Sequence, residues 1–182
     1  MNSIDRFLQN YRINMAKKWV REGSVILDIG CGEDAPFLKK IKNKIKNGVG
    51  VDPKLKREYS SGNIVLYRGL FPDSIPKINF DAIVMLATLE HMNSEEQKNL
   101  SKNCFSRLNQ KGILIVTVPS PFVDKILKVL IFFKIAHGME VEEHYGYEVS
   151  KTPEVFEREG FELLKHKKFQ IGLNNLFIFR KP

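Results

Sequence analysis

Two glycines one residue apart, Gly30 and Gly32, end the run Val25-Ile26-Leu27-Asp28-Ile29. Twenty residues after Gly32 stands a carboxylate, Asp52, closing a second apolar run, Gly48-Val49-Gly50-Val51. Glycine lets a chain turn sharply and lets a ligand come close to the main chain. A strand, a tight glycine turn and a carboxylate placed for a ribose together describe a nucleoside-binding site.

The spacing alone leaves the nucleoside open. Gly30-Cys31-Gly32-Glu33-Asp34-Ala35 satisfies G-x-G-x-x-A, the turn of nicotinamide dinucleotide sites. Two features oppose that reading. Asp28 sits where dinucleotide folds carry an apolar residue. Glu33 and Asp34 crowd negative charge onto the turn that would hold a pyrophosphate, and carboxylates there suit a ligand with a positive amino or sulfonium group.

The elements that must position these groups can be read along the chain. Helical spacing of Phe7, Leu8, Tyr11, Met15 and Trp19 predicts a helix over 3–21. Strands follow at 25–29 and 48–52, with a helix over 35–46 between them. The interval from Asp52 to the run Ile64-Val65-Leu66-Tyr67 leaves room for one short turn of helix. Strand 80–86 leads to a helix starting at Asn93-Ser94, with Ser94 as the cap and Gln97 closing a capping box. Strand 113–118 is the most strand-like segment, and 122–136 reads as an apolar helix. Thr152-Pro153 starts a further helix, with Thr152 as cap, that stops at Gly160. The strands at 161–169 and 174–180 are joined by Gln170-Ile171-Gly172-Leu173, which is too short for a parallel crossover and predicts an antiparallel hairpin. Strands alternating with helices predict an α/β fold, a parallel sheet between two helical layers.

The chain has 182 residues, 43% of them hydrophobic, and a net charge of +8. One domain spanning 1–182 is expected, with an N-terminal helix at 1–22 and an insertion at 120–151 acting as a lid. Cys31 and Cys104 form no C-x-x-C pair and no Cys/His cluster, so neither a disulfide framework nor a metal site is expected. The first residues lack an apolar run and no stretch is long enough to span a membrane, which predicts a cytoplasmic protein. The basic balance favours anionic partners, although a solvated helix face is the preferred reading of the lysines at 39, 40, 42, 44 and 46.

Four motifs in order carry a resemblance. They are Leu27-Asp28-Ile29-Gly30-Cys31-Gly32, the strand ending at Asp52, Phe80-Asp81-Ala82-Ile83-Val84 leading to Leu89-Glu90-His91, and Leu108-Asn109-Gln110-Lys111-Gly112-Ile113-Leu114-Ile115-Val116-Thr117-Val118-Pro119. Over roughly residues 20–180 the chain resembles the class I S-adenosylmethionine-dependent methyltransferases. The likeness is strongest to the small-molecule branch (methyltransferase type 11) that includes quinone-biosynthesis enzymes. The resemblance implies a three-layer α/β/α Rossmann-like methyltransferase fold. Its sheet would be mostly parallel and seven-stranded, with an antiparallel last strand.

It further implies S-adenosylmethionine as the cofactor and assigns residues to it. Gly30, Cys31 and Gly32 form the turn beside the methionine part and the ribose. Asp28 orients the methionine amino group, directly or through water. Asp52 accepts both ribose hydroxyl protons. Pro53 or its neighbour Lys54 flanks the adenine, with Leu70 and Phe71 standing where the family often has an acid for the adenine amino group. Leu86 and Ala87 line the methyl-donor side. Asp34 replaces a frequent third glycine.

Methyl transfer is an in-line displacement that needs mainly alignment and desolvation. A base is required only for a protonated acceptor. His91 is the first candidate and His144, beside Tyr145, the second; a structural role stands beside each. No [DN]-P-P-[YF] follows strand 80–86 and Pro119 is followed by Ser120, which argues against base amino methylation and cytosine C5 chemistry. The apolar segment 122–136, interrupted by Asp124, Lys125, Lys128 and Lys134, reads as a core helix, a lid or a helix lying on a membrane surface. The expected acceptor is therefore a small molecule, lipid-linked, glycan-precursor or quinone-like, with peripheral membrane contact through 122–136. The alternatives are an RNA methyltransferase, a non-catalytic cofactor- or nucleic-acid-binding module, and, ranked below them, an NAD-binding oxidoreductase. The lack of aromatic–basic interleaving places nucleic acid second.

Overall fold

The computed structural model describes residues 3–120 and 147–182, with side chains described from residue 6. Helix α1 (Ser3–Ala16) runs into a 3-10 turn, Lys17–Trp19. Strand β1 (Val25–Ile29) follows, then helix α2 (Pro36–Ile41) and strand β2 (Asn47–Asp52). Strands β3 (Tyr59–Ser61), β4 (Ile64–Arg68) and β5 (Phe80–Leu86) come next. A 3-10 turn, Leu89–His91, leads to helix α3 (Ser94–Arg107) and the long strand β6 (Leu108–Pro119). Helix α4 (Thr152–Glu157) and strands β7 (Glu162–Phe169) and β8 (Asn174–Arg180) complete the described elements.

The strands form one sheet in the order β3-β4-β2-β1-β5-β6-β8-β7. The five strands β4, β2, β1, β5 and β6 are mutually parallel. β8, the last strand of the chain, inserts antiparallel between β6 and β7. The central strands are nearly continuous apolar runs because both of their faces are covered. Ile26, Ala82, Val84 and Ile115 pack with Ile13, Ala16, Phe37 and Leu38 of α1 and α2 on one face. Leu27, Ile83, Val116 and Phe177 pack with Leu100, Cys104 and Phe156 of α3 and α4 on the other. The three-layer α/β/α fold with a mostly parallel sheet agrees with the sequence reading.

Several details differ. Among the described residues the sheet has eight strands, where seven were expected. The interval after Asp52 holds strand β3, paired antiparallel with β4, in place of a helical turn. Helix α2 ends at Ile41 rather than near 46, because the Asn63 side chain donates to the carbonyls of Lys42 and Ile45. Strand β6 begins five residues earlier than expected.

The cap of α3 is Asn93, not Ser94. Asn93 Oδ1 accepts from the amides of Glu95 and Glu96, and Glu96 returns a bond to the Asn93 amide. Thr152 does not cap α4 either. Lys151 holds that position without a side-chain bond, and the buried Thr152 hydroxyl instead pairs with Tyr147 Oη at 2.8 Å. The predicted helix at 122–136, His144 and Tyr145 lie outside the described residues.

Candidate cofactor cleft

The β1 turn is built by three contacts. The amides of Gly30 and Cys31 both donate to the Val51 carbonyl, which pins the turn to the end of β2. The Gly32 amide donates to Asp52 Oδ2 at 2.9 Å. Asp52 Oδ1 accepts from the Lys54 amide at 2.8 Å, so the carboxylate is held at both oxygens by main chain. Each oxygen keeps a further lone pair for a ligand hydroxyl.

The two glycines are required for different reasons. A Cβ on Gly32 would meet nothing within 4 Å, and its φ is +70°, so this side of the turn is open to a ligand. A Cβ on Gly30 would lie 2.5 Å from Thr88 Oγ1. Thr88 itself donates from Oγ1 to the Ile29 carbonyl at 3.3 Å. Gly30 is thus a seat for the turn that follows β5, a contact with no trace in the local sequence.

A cleft of about 80 Å³ lies against this turn, lined by Asp28, Gly30, Cys31, Gly32, Pro36, Phe37 and Leu86 together with Gln9, Arg12 and Ile13. Asp28 is 2% exposed, and its Oδ2 has no hydrogen-bond partner. Burial holds the Asp28 carboxyl well above the usual carboxylate range, and the nearby Asp52 charge adds to the effect. An orphaned buried carboxyl oxygen at the edge of a cleft fits a ligand that brings a cationic donor.

Of the residues expected at the site, Asp28, Gly30, Cys31, Gly32 and Leu86 line the cleft, and Asp52 is tied to it through Gly32. The Cys31 thiol is buried against Gly50, and burial pushes its pKa up. Pro53 is exposed, and Leu70 is 65% exposed in the loop after β4. Ala87, with φ of +58°, is held by its amide to both the carbonyl and the hydroxyl of Thr117. His91 is half-buried and closes the 3-10 turn after β5, beside the fully buried Glu90.

Sequence reading missed Gln9, Arg12 and Ile13, which reach the cleft from α1. Ile13 lies within the apolar stripe of that helix, but nothing in a single helix tells which strand end it will cross. Glu33 is also less isolated than its sequence suggests, pairing with Lys56 at 2.7 Å on the surface. Asp81, part of a matching motif, serves the opposite end of the sheet. Its Oδ2 accepts from the Val25 amide and its Oδ1 from Asn109 Nδ2. Among the described residues no group of three His, Cys, Asp or Glu could hold a metal ion.

A Rossmann-like sheet with an antiparallel last strand, a glycine turn on β1 and a carboxylate ending β2 agree with the resemblance to S-adenosylmethionine-dependent methyltransferases. Residues 3–166 match the family described as methyltransferase domain, and the chain belongs to that family.

A carboxy-S-adenosyl-L-methionine synthase from Actinobacillus pleuropneumoniae is 29% identical over 143 residues, 68% of this chain and 58% of that protein. The chain thus spans a little over half the length of that curated relative. An S-adenosylmethionine-dependent methyltransferase from Mesorhizobium loti superposes with a TM-score of 0.67 at 15% identity, covering 92% of this chain and 96% of that one. An N-methyltransferase from Bradyrhizobium japonicum, solved with S-adenosyl-L-homocysteine, gives 0.65 at 15% identity, covering 100% and 89%. These structural likenesses bear on the fold.

Proposed function

We propose that the chain binds S-adenosylmethionine in the β1–β2 cleft and transfers its methyl group to a small-molecule, lipid-linked or glycan-precursor acceptor. One observation carries the reading: Asp28 Oδ2, buried and without a partner, beside a glycine turn whose open side is Gly32. A ligand amino group would satisfy that oxygen. Family membership and a relative named for making a derivative of this same nucleoside support the choice of cofactor.

When bound, the cofactor supplies a methyl group already activated on a sulfonium. The chain's own residues then have modest tasks. Asp28 accepts from the amino group, and Asp52 accepts from the ribose hydroxyls while its amide contacts hold it in place. Leu86 and the strained Ala87 present an apolar edge that excludes water where the acceptor approaches. His91 takes a proton if the acceptor carries one. Among the described residues no helix is long and apolar enough to cross a membrane.

The test is to incubate the protein with tritium-labelled S-adenosylmethionine and separated small-molecule, lipid and RNA fractions. Label in the small-molecule or lipid fraction supports the reading. Label confined to RNA moves the acceptor to nucleic acid. Bound S-adenosylhomocysteine with no label anywhere leaves a non-catalytic module.

A further inference from the structure

Ile171, at the tip of the β7–β8 hairpin, is the most exposed large apolar side chain among the described residues, fully open to water. Its backbone is as unusual as its exposure. Gln170, Ile171 and Gly172 have φ of +52°, +56° and +82° in succession. The Gly172 amide donates to the Phe169 carbonyl at 3.1 Å and the Leu173 amide to the Gln170 carbonyl at 3.0 Å, which closes the turn. Turns with positive φ at both central residues favour Asn-Gly, and a β-branched side chain suits that conformation least. Ile171 therefore costs stability through its strained backbone, and its full exposure leaves no packing to offset the strain. Strain held at a surface tip points to a contact made outside the fold.

The tip stands at the carboxyl end of β6, the end of the sheet on which the cofactor cleft opens. Asn174 pairs with Pro119 there, and Ser120 Oγ donates to the Gly172 carbonyl at 2.6 Å. Helix α1 flanks the tip. Gln170 Nε2 donates to the Leu8 carbonyl at 3.0 Å, and Tyr11 stacks on Phe169 with centroids 5.7 Å apart and planes 10° from parallel. Phe7, one helical turn before Tyr11 and 65% exposed, extends the apolar surface beside the tip.

Cations ring the base of this surface. Lys168 and Lys167 are exposed on β7 and lie about 3 and 7 Å along the strand from Phe169, where the turn begins. Successive strand residues point to opposite faces, so the two lysines flank the hairpin on both sides. Lys165 shares the face of Lys167 and lies over the Trp19 ring at 5.7 Å. No carboxylate occurs between Leu163 and Leu173.

We propose that the hairpin tip and Phe7 dock the protein on an anionic lipid bilayer. The order along the hairpin, an apolar tip and then lysines on both faces, matches a bilayer surface with acyl chains beneath phosphates. Ile171 and Phe7 enter the acyl boundary, and Lys167 and Lys168 lie at the level of the headgroups. Docking sets the cleft-bearing end of the sheet against the membrane, where a lipid-linked acceptor would be met. That consequence rests on the methyltransferase reading; the docking itself does not.

The test is co-sedimentation of the full chain at low salt with two kinds of vesicle. One is phosphatidylglycerol and phosphatidylcholine in equal parts, the other phosphatidylcholine alone. The wild type binds the anionic vesicles about tenfold or more tightly. Ile171→Asp and Ile171→Gly each weaken that binding by about tenfold. Lys167→Gln combined with Lys168→Gln weakens it by roughly 30-fold. Ile78→Asp, at an exposed isoleucine on the opposite end of the sheet, leaves it unchanged. In solution Ile171→Gly melts about 2 °C above the wild type, because glycine relieves the positive φ, so its weaker binding does not come from unfolding. No retention on either vesicle, full retention of Ile171→Asp and Ile171→Gly, or an equal loss in Ile78→Asp would overturn the inference. A wild type that ignores vesicles but forms a dimer split by Ile171→Asp would overturn it in favour of a contact between copies. S-adenosylhomocysteine binds all these variants as it binds the wild type. A wild type that docks on vesicles but binds no S-adenosylhomocysteine would overturn the cofactor reading alone.

Discussion

The Gly32 amide donates to Asp52 Oδ2 at 2.9 Å, so the carboxylate that would hold a ribose also holds the glycine turn beneath it. Asp52 therefore has two tasks, and its substitutions separate them. Asp52→Asn keeps one carbonyl oxygen for a main-chain amide, whereas Asp52→Ala abandons both amides. Thermal unfolding of the ligand-free protein shows Asp52→Ala less stable than Asp52→Asn by about 1 kcal/mol. Equal melting would mean that the amide contacts contribute nothing.

Asp28 gives a pH signature. Burial first, and the Asp52 charge second, raise its pKa in the folded chain above the unfolded value. Between those two values the folded state binds a proton that the unfolded state lacks. Stability is therefore fullest below the unfolded pKa and falls as pH rises through the folded one. Melting curves upward from about pH 4 show this loss in the wild type and not in Asp28→Asn. A ligand ammonium favours the ionised carboxyl, so S-adenosylhomocysteine binding within that window releases a proton. Titrations in buffers of different ionisation enthalpy read the release, and Asp28→Asn abolishes it.

Gly30 and Thr88 are coupled. Gly30→Ala meets Thr88 Oγ1 at 2.5 Å and forces an L side chain to φ +72°. The cost is roughly 2 to 3 kcal/mol from both effects together. Adding Thr88→Ala removes the two nearest atoms and leaves a Cβ contact at 3.2 Å. The double variant is more stable than Gly30→Ala alone. Additive losses in denaturant titration would contradict the coupling.

The α3 cap separates two adjacent polar residues. Asn93→Ala removes both acceptor contacts and lowers stability by about 1 kcal/mol, and Ser94→Ala is close to neutral. The reverse order would restore the cap to Ser94.

Much of this was legible from single residues. The alternation of strands and helices, the glycine turn and the short 170–173 link specify the sheet and its antiparallel end, because each rests on local chain geometry. The boundaries that shifted were set by distant groups. Asn63 ends α2 from across the sheet, and Thr152 is drawn from its capping role by Tyr147. That Asp28, Gly32 and Asp52 stand together was readable because their types and their spacing coincide. Thr88 beneath Gly30 and the α1 residues lining the cleft were not. Each depends on two segments meeting only after the chain has folded.

The measurement that bears most directly on the central claim is a calorimetric titration with S-adenosylhomocysteine and, separately, with NAD. It uses the wild type, Asp52→Asn and Asp52→Ala, each checked for a folded melting transition. S-adenosylhomocysteine binds the wild type and NAD does not. Both variants weaken S-adenosylhomocysteine by roughly 100-fold, the loss of about 3 kcal/mol of charge-assisted hydrogen bonding. NAD binding without S-adenosylhomocysteine binding, or full affinity in folded Asp52→Ala, would contradict the account.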